Sequence, residues 1–79
     1  MRQPSVILYG RPGCHLCDDA RRVLLRVREQ RPFAFCERSI EDDDGLLRAY
    51  LERIPVVTID GVETFELFVD EADLVRALG

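Results

Sequence analysis

Cys14 and Cys17 stand three residues apart, after the apolar run Val6-Ile7-Leu8-Tyr9 and at the start of a helical pattern. At i, i+3 in a first helical turn both sulfurs fall on one side, close enough to close into a small disulfide ring and open again. Three cysteines in 79 residues give roughly a 7% chance that some pair has this spacing, so the spacing counts only with its setting. That setting is a strand, a turn and a helix start. Cys14 takes the N-cap place, where the helix offers no Ser, Thr, Asp or Asn, and the amides of Leu16 and Cys17 point back at it. Those amides and the positive helix end favour an anionic sulfur, so Cys14 should ionise below the ~8.5 of a free thiol. Cys17, one turn further in, should stay protonated until it attacks. Cys14 is then the nucleophile and Cys17 the resolving thiol; an inert pair of helix cysteines is the alternative.

The neighbours tune this chemistry in both directions. Arg11 can add positive charge near the thiolate and an anionic substrate, or be an ordinary loop arginine. Asp18 and Asp19 suit a helix start but repel a thiolate. His15, the only histidine, would stabilise a thiolate when charged, although an imidazolium is disfavoured at a helix N-terminus. Leu16 offers apolar surface beside the pair, or packs. Cys36 is expected to pack against a helix layer as a small buried cysteine.

Composition narrows the classes. One domain, 1–79, is expected at this length, with a modest stability margin and no large internal cavity. Apolar residues make up 47% and charged residues 33%, the balance of a globular chain. The net charge of −4 argues against nucleic acid, which needs clustered positive charge. All 11 basic residues are arginine, which removes lysine Schiff-base chemistry. No apolar run reaches bilayer length, and the start, Met1-Arg2-Gln3-Pro4, leads into too few apolar residues for a signal peptide, so a cytoplasmic protein without membrane association is expected. An odd cysteine count in such a chain points to redox or metal chemistry rather than a disulfide framework.

Turn signals at Gly10 to Gly13, Arg31-Pro32, Glu41 to Gly45 and Asp60-Gly61 divide the chain into seven elements. Val6 to Tyr9 reads as a strand covered on both faces. Leu16, Ala20, Val23, Leu24 and Val27 form a helical stripe running to about Gln30, where Pro32 stops it. Phe33 to Arg38 is a second strand, parallel to the first through a right-handed crossover. Asp42 to Asp44 precede a stripe of Leu46, Leu47, Tyr50, Leu51 and Ile54; one acid caps this helix, and the spacing lacks the alternating ligands and closing glutamate of a calcium loop. Val56 to Ile59 and Val62 to Leu67 flank Asp60-Gly61, which suits a type I′ hairpin. The last helix has Asp70 as N-cap, Asp73 at N3, a staple of Val69 and Leu74, and Gly79 beyond its end.

A C-x-x-C after the first strand, Ile54-Pro55 opening the third, and a βαβαββα order together resemble the thioredoxin fold, and specifically a small glutaredoxin-like protein, over essentially the whole chain. The resemblance implies an α/β four-stranded mixed sheet with helices on both faces, a cis Ile54-Pro55 bond lying against the cysteine pair, and backbone pairing of Ile54 with a bound peptide or glutathione. By it Ile54 and Pro55 join Arg11, His15 and Leu16, read above from their charge and position, as substrate-binding residues, with Cys14 and Cys17 catalytic. It also implies a monomeric oxidoreductase of cell redox homeostasis or electron transport, acting on protein or glutathione disulfides with no resident cofactor, and with glutathione or a reductase as donor. Two departures stand out: the Gly-Gly that usually follows the fourth strand is replaced by Phe65-Glu66-Leu67-Phe68-Val69-Asp70, and His15-Leu16 is neither Pro-Tyr nor Gly-Pro. Asp70 could meet an amino group, as the acid after those glycines does, but capping accounts for it. Two rival readings are zinc or iron-sulfur binding through the cysteine pair, for which one chain supplies few ligands, and a binding module with little turnover.

Overall fold

The computed structural model describes residues 3–79; Met1 and Arg2, part of the segment read for a signal peptide, lie outside the described residues. All seven expected elements form: β1 (Ser5–Gly10), α1 (His15–Gln30), β2 (Ala34–Ser39), α2 (Asp44–Tyr50), β3 (Val56–Ile59), β4 (Val62–Glu66) and α3 (Glu71–Leu78). A single 3-10 turn, Ile40–Asp42, adds an eighth, with the Ser39 hydroxyl accepting from the Glu41 amide. The sheet order is β2-β1-β3-β4, with β1 and β2 parallel and the other two pairings antiparallel.

Alternation along β1 separates the two faces of the sheet. Val6 and Leu8 are fully buried and join Ala20, Leu24 and Val27 of α1, Phe33, Val57, and Val69 and Leu74 at α3 in one core. The helical stripe of α1 starts at Cys17 rather than Leu16, which stays 48% exposed. Ile7 and Tyr9 point to the opposite face, where α2 meets the sheet through Tyr50, its ring 5.2 Å from that of Tyr9. That face is covered only in part: Ile7 and Tyr9 are half-buried, and α2 contributes no fully buried residue. The expectation that β1 is sealed on both faces therefore holds for one.

Local chemistry accounts for the boundaries. The Arg28 guanidinium donates to the Phe33 carbonyl at 2.9 Å as the chain leaves α1. Asp43 caps α2 by accepting from the Leu46 amide at 3.0 Å, and Asp70 caps α3 by accepting from that of Asp73 at 3.0 Å. The hairpin turn has positive φ at both Asp60 and Gly61, 51° and 83°, as a type I′ turn requires. The Asp60 carboxylate also accepts from the Ser5 amide at 2.9 Å, tying the hairpin to the start of β1.

Candidate functional site

Arg11-Pro12-Gly13-Cys14 makes the turn that delivers the dithiol. The Cys14 amide donates to the Arg11 carbonyl at 3.3 Å, Pro12 sits at the second position, and Gly13 has φ 79°. That arrangement fits a type II turn, whose third position favours glycine. Cys14 then enters the N-cap with extended backbone, and its sulfur accepts from the Cys17 amide at 3.1 Å, as read from the sequence. The two sulfurs lie at disulfide distance, with Cα atoms 5.2 Å apart. Cys14 is half-buried, whereas Cys17 is only 2% exposed. The difference has a cause: Cys17 points back under the helix against Gly10, where an added Cβ would sit 2.8 Å from its sulfur.

The flanking charges are largely spent on one another. Arg21 donates to Asp18 at 2.8 Å and holds Glu37 of β2 by two hydrogen bonds, which raises its pKa, Glu37 first and Asp18 second. Arg22 takes Asp19. Both carboxylates expected to repel a Cys14 thiolate are thus paired with arginine, which blunts that repulsion. Arg11 is exposed and pairs with Glu41 at 3.3 Å. His15 is the exposed first residue of α1.

Ile54-Pro55 is cis and enters β3 directly. Tyr9 lies beside Val56, and β1 runs on through Gly10 into the dithiol turn, so Pro55 and the cysteines share one end of the sheet. Ile54 is half-buried and Pro55 buried. A cluster beside them fixes the approach to Pro55. Arg53 pairs with Glu63 and with Glu66, the latter at 3.1 Å, and lies over the Tyr50 ring, while the Tyr50 hydroxyl donates to Glu63 at 3.0 Å. Arg53 and Tyr50 hold Glu63 below the ordinary carboxylate value; burial, then the Glu63 bond, pushes the Tyr50 phenol up.

Two features escaped the sequence reading. A cleft of about 260 Å³ opens on the β2 side of Cys17, lined by Arg11, Asp18, Arg21, Glu37, Arg38 and Ser39 among others. It exists because parallel pairing sets Ser39 beside Gly10, a long-range fact without a local signal. The second is Leu67, whose φ of 72° is unusual for a residue with a side chain. Cys36 requires a correction: it is exposed, not packed under a helix. It lies on edge strand β2 beside Ile7 of the partly covered face, whose helix α2 contributes no buried residue. Among the described residues no three His, Cys, Asp or Glu side chains cluster as they would around a metal ion, and no helix is long and apolar enough to cross a membrane.

A βαβ unit followed by a second helix, a β-hairpin and a closing helix, with a cysteine pair at the first helix and a cis proline at the same end of the sheet, defines the thioredoxin-like class. Solved structures of that class superpose on the chain. A thioredoxin variant from Halobacterium salinarum NRC-1 matches with a TM-score of 0.68 at 21% identity, covering 98% of this chain and 73% of its own. Protein Ne2328 from Nitrosomonas europaea gives a TM-score of 0.88 at 26% identity, with 100% and 95% covered. Structural-genomics target protein XcR50 from X. campestris gives 0.78 at 34% identity, with 92% and 93% covered. A comparison with curated proteins gives no match. The model of the Glutaredoxin-like domain (DUF836) family matches residues 5–79, and the chain belongs to that family.

Proposed function

We propose that the protein is a thiol-disulfide oxidoreductase, an electron carrier of the cytoplasm that acts as a monomer on protein disulfides and is recharged by glutathione or a reductase. The observation that carries this reading is the unequal pair. Cys14 is half-buried and accepts the Cys17 amide at the helix N-cap, while Cys17 is buried within disulfide reach of it. An incoming disulfide meets Cys14 first. The Cys17 amide and the helix end stabilise the thiolate that attacks. The attack expels one substrate thiolate and leaves a mixed disulfide on Cys14. Cys17 then attacks the Cys14 sulfur, releases the second thiol and closes the ring. In this reading Arg11, His15, Leu16, Ile54 and Pro55 are the residues that bind the substrate beside Cys14.

Titration of the pair against defined glutathione buffers, with mass spectrometry to separate the internal disulfide from a glutathione adduct, tests the proposal. A reversible disulfide with a potential of roughly −200 to −270 mV, the range of cytosolic carriers, is expected. Cys14→Ser should abolish disulfide reduction, and Cys17→Ser should accumulate the mixed disulfide. Equal activity of the two variants would overturn the division of roles. A pair that never closes, in a protein that takes up zinc or iron with its cysteines, would move the assignment to metal binding.

A further inference from the structure

Leu67 and Phe68 leave β4 at the end of the sheet that carries the dithiol. Tyr9, Val56 and Glu66 form one row across β1, β3 and β4, and continuing both antiparallel registers by one residue brings Gly10, Pro55 and Leu67 to one level. The Leu67 amide donates to the Pro55 carbonyl at 2.9 Å and to that of Arg53 at 3.2 Å, which locks this end of β4 to the cis proline. Two strand spacings place the Leu67 backbone on the order of 10 Å from Gly10, with Pro55 between them. At φ 72° glycine would sit without penalty, yet the position carries a large apolar side chain that is 41% exposed, followed by Phe68 at 71%. Neither residue belongs to the core. An apolar side chain kept outside the core at a backbone conformation that resists it points to recognition rather than folding.

The charges around this lip speak to its ligand. Glu63, Glu66, Asp70 and Glu71 lie on either side of it in the chain. The nearby cations are engaged: Arg53 with Glu63 and Glu66, and Arg26 with Glu71 at 2.9 Å. A small dianionic disulfide such as that of glutathione finds acids at this lip, whereas Arg38, which is in none of the ion pairs among the described residues, lines the cleft on the β2 side of Cys17. Leu16, 48% exposed, supplies apolar surface within the cysteine pair itself.

We infer that Leu67 and Phe68 form an apolar lip selecting protein disulfides whose cysteine is flanked by apolar residues in an accessible segment, in preference to the disulfide of glutathione. The inference rests on the oxidoreductase reading above. Each turnover moves two electrons. The Cys14 thiolate displaces one substrate thiolate, Cys17 displaces the other and hands it a proton, and the protein ends as the Cys14–Cys17 disulfide. The test needs no electron donor, because pre-reduced protein turns over once.

Reduced protein is mixed with excess of three disulfides, and closure of its ring is followed by quenching and mass spectrometry. The probes are glutathione disulfide and the symmetric disulfides of two blocked neutral peptides, one with Leu and Phe beside its cysteine and one with Gly and Ser. The apolar peptide should react about tenfold faster than the Gly/Ser peptide, the scale expected of partial burial of two apolar side chains. Leu67→Gly combined with Phe68→Ser should remove that preference, so that within the variant the two peptides react at equal rates. Phe68→Ser, which leaves the left-handed backbone untouched, should remove part of it. Equal rates with the two peptides, or a preference that survives the double variant, would overturn the lip while leaving the oxidoreductase reading standing. Protein that none of the three oxidises would overturn both.

Discussion

Gly10 shows how much of the dithiol's behaviour rests on a residue without chemistry of its own. A Cβ there would stand 2.8 Å from the Cys17 sulfur and 3.2 Å from its Cβ. Both belong to a short buried side chain with nowhere to swing. Gly10→Ala should push the Cys17 sulfur out of line with Cys14 and destabilise the closed ring relative to the dithiol. The expected readout is a less negative potential in glutathione buffers, by about 30 mV for each 1.4 kcal/mol of ring destabilisation. An unchanged potential would reduce Gly10 to a space-filling role. At this scale the sequence was legible wherever a residue's partner lay within one turn, as with Cys14 over the Cys17 amide or Asp43 over that of Leu46. It failed where the partner came from afar. Cys36 had strand alternation in its favour, but whether a helix covers an edge strand is decided by the length of α2, not by the residue. The region of Leu67 was read as lacking Gly-Gly, yet nothing local said that a leucine would adopt the conformation a glycine would have held. Leu67→Gly alone should therefore raise stability by about 1 kcal/mol, from relief of the left-handed backbone set against lost apolar contact. Urea denaturation measures it, and a loss of stability would mean that Leu67 packs more than its exposure implies.

Among the elements, α2 and its exit contribute most to placing Pro55 and least to the core. Periodicity located α2 correctly, but its apolar stripe is only half used: Leu46, Leu47, Tyr50 and Ile54 are partly buried and Leu51 is 45% exposed. The substitute for packing is the cluster of Tyr50, Arg53, Glu63 and Glu66, which ties the end of α2 to β4. Its dependence on pH has a definite sign. Glu63 is held below the ordinary 4.5 by Arg53 and then Tyr50. Its contribution is complete above 4.5 and fades as pH falls through the lowered native value. Glu63→Gln should thus be less stable than the native protein at neutral pH, with the gap closing below 4.5; Glu63 is exposed and Arg53 and Tyr50 are only half-buried, so the effect is small. The same variant should lower the Tyr50 pKa towards 10.0 without reaching it, because burial is the larger cause of its rise. The chain has two tyrosines and no tryptophan, so ultraviolet titration in a Tyr9→Phe background reads Tyr50 alone. A titration identical with and without Glu63 would show that the hydroxyl bond does not persist in solution.

On the scale of the whole molecule the two faces of the sheet are unequal, and the site straddles the inequality. α1 and α3 share a continuous core with β1 and β3, so Cys14 and Cys17 are mounted on the firm side. Ile54, Pro55 and the Leu67 lip are held by the thinner side and its surface ion pairs. A chain of this size has only about 4–12 kcal/mol of stability in total. Leu24, fully buried at the centre of the larger core, should cost roughly 2–5 kcal/mol as Leu24→Ala, enough to bring the protein near its unfolding midpoint without denaturant. Leu47→Ala, on half-buried α2, should cost about 1 kcal/mol or less. Hydrogen exchange should follow the same division, with the amides of α2 and the 51–55 segment exchanging well before those of α1 and β1. The element order was readable from local patterns, whereas this asymmetry was not, because it depends on how far a seven-residue helix reaches across four strands. The functional consequence is that substrate recognition can adjust while the sulfurs stay in register. Binding a disulfide-forming peptide to Cys17→Ser through Cys14 should slow exchange in the 51–55 segment and around Leu67, and leave the α1 core amides unchanged. Protection confined to α1 would place the substrate on the β2 side, over the cleft lined by Arg21 and Arg38.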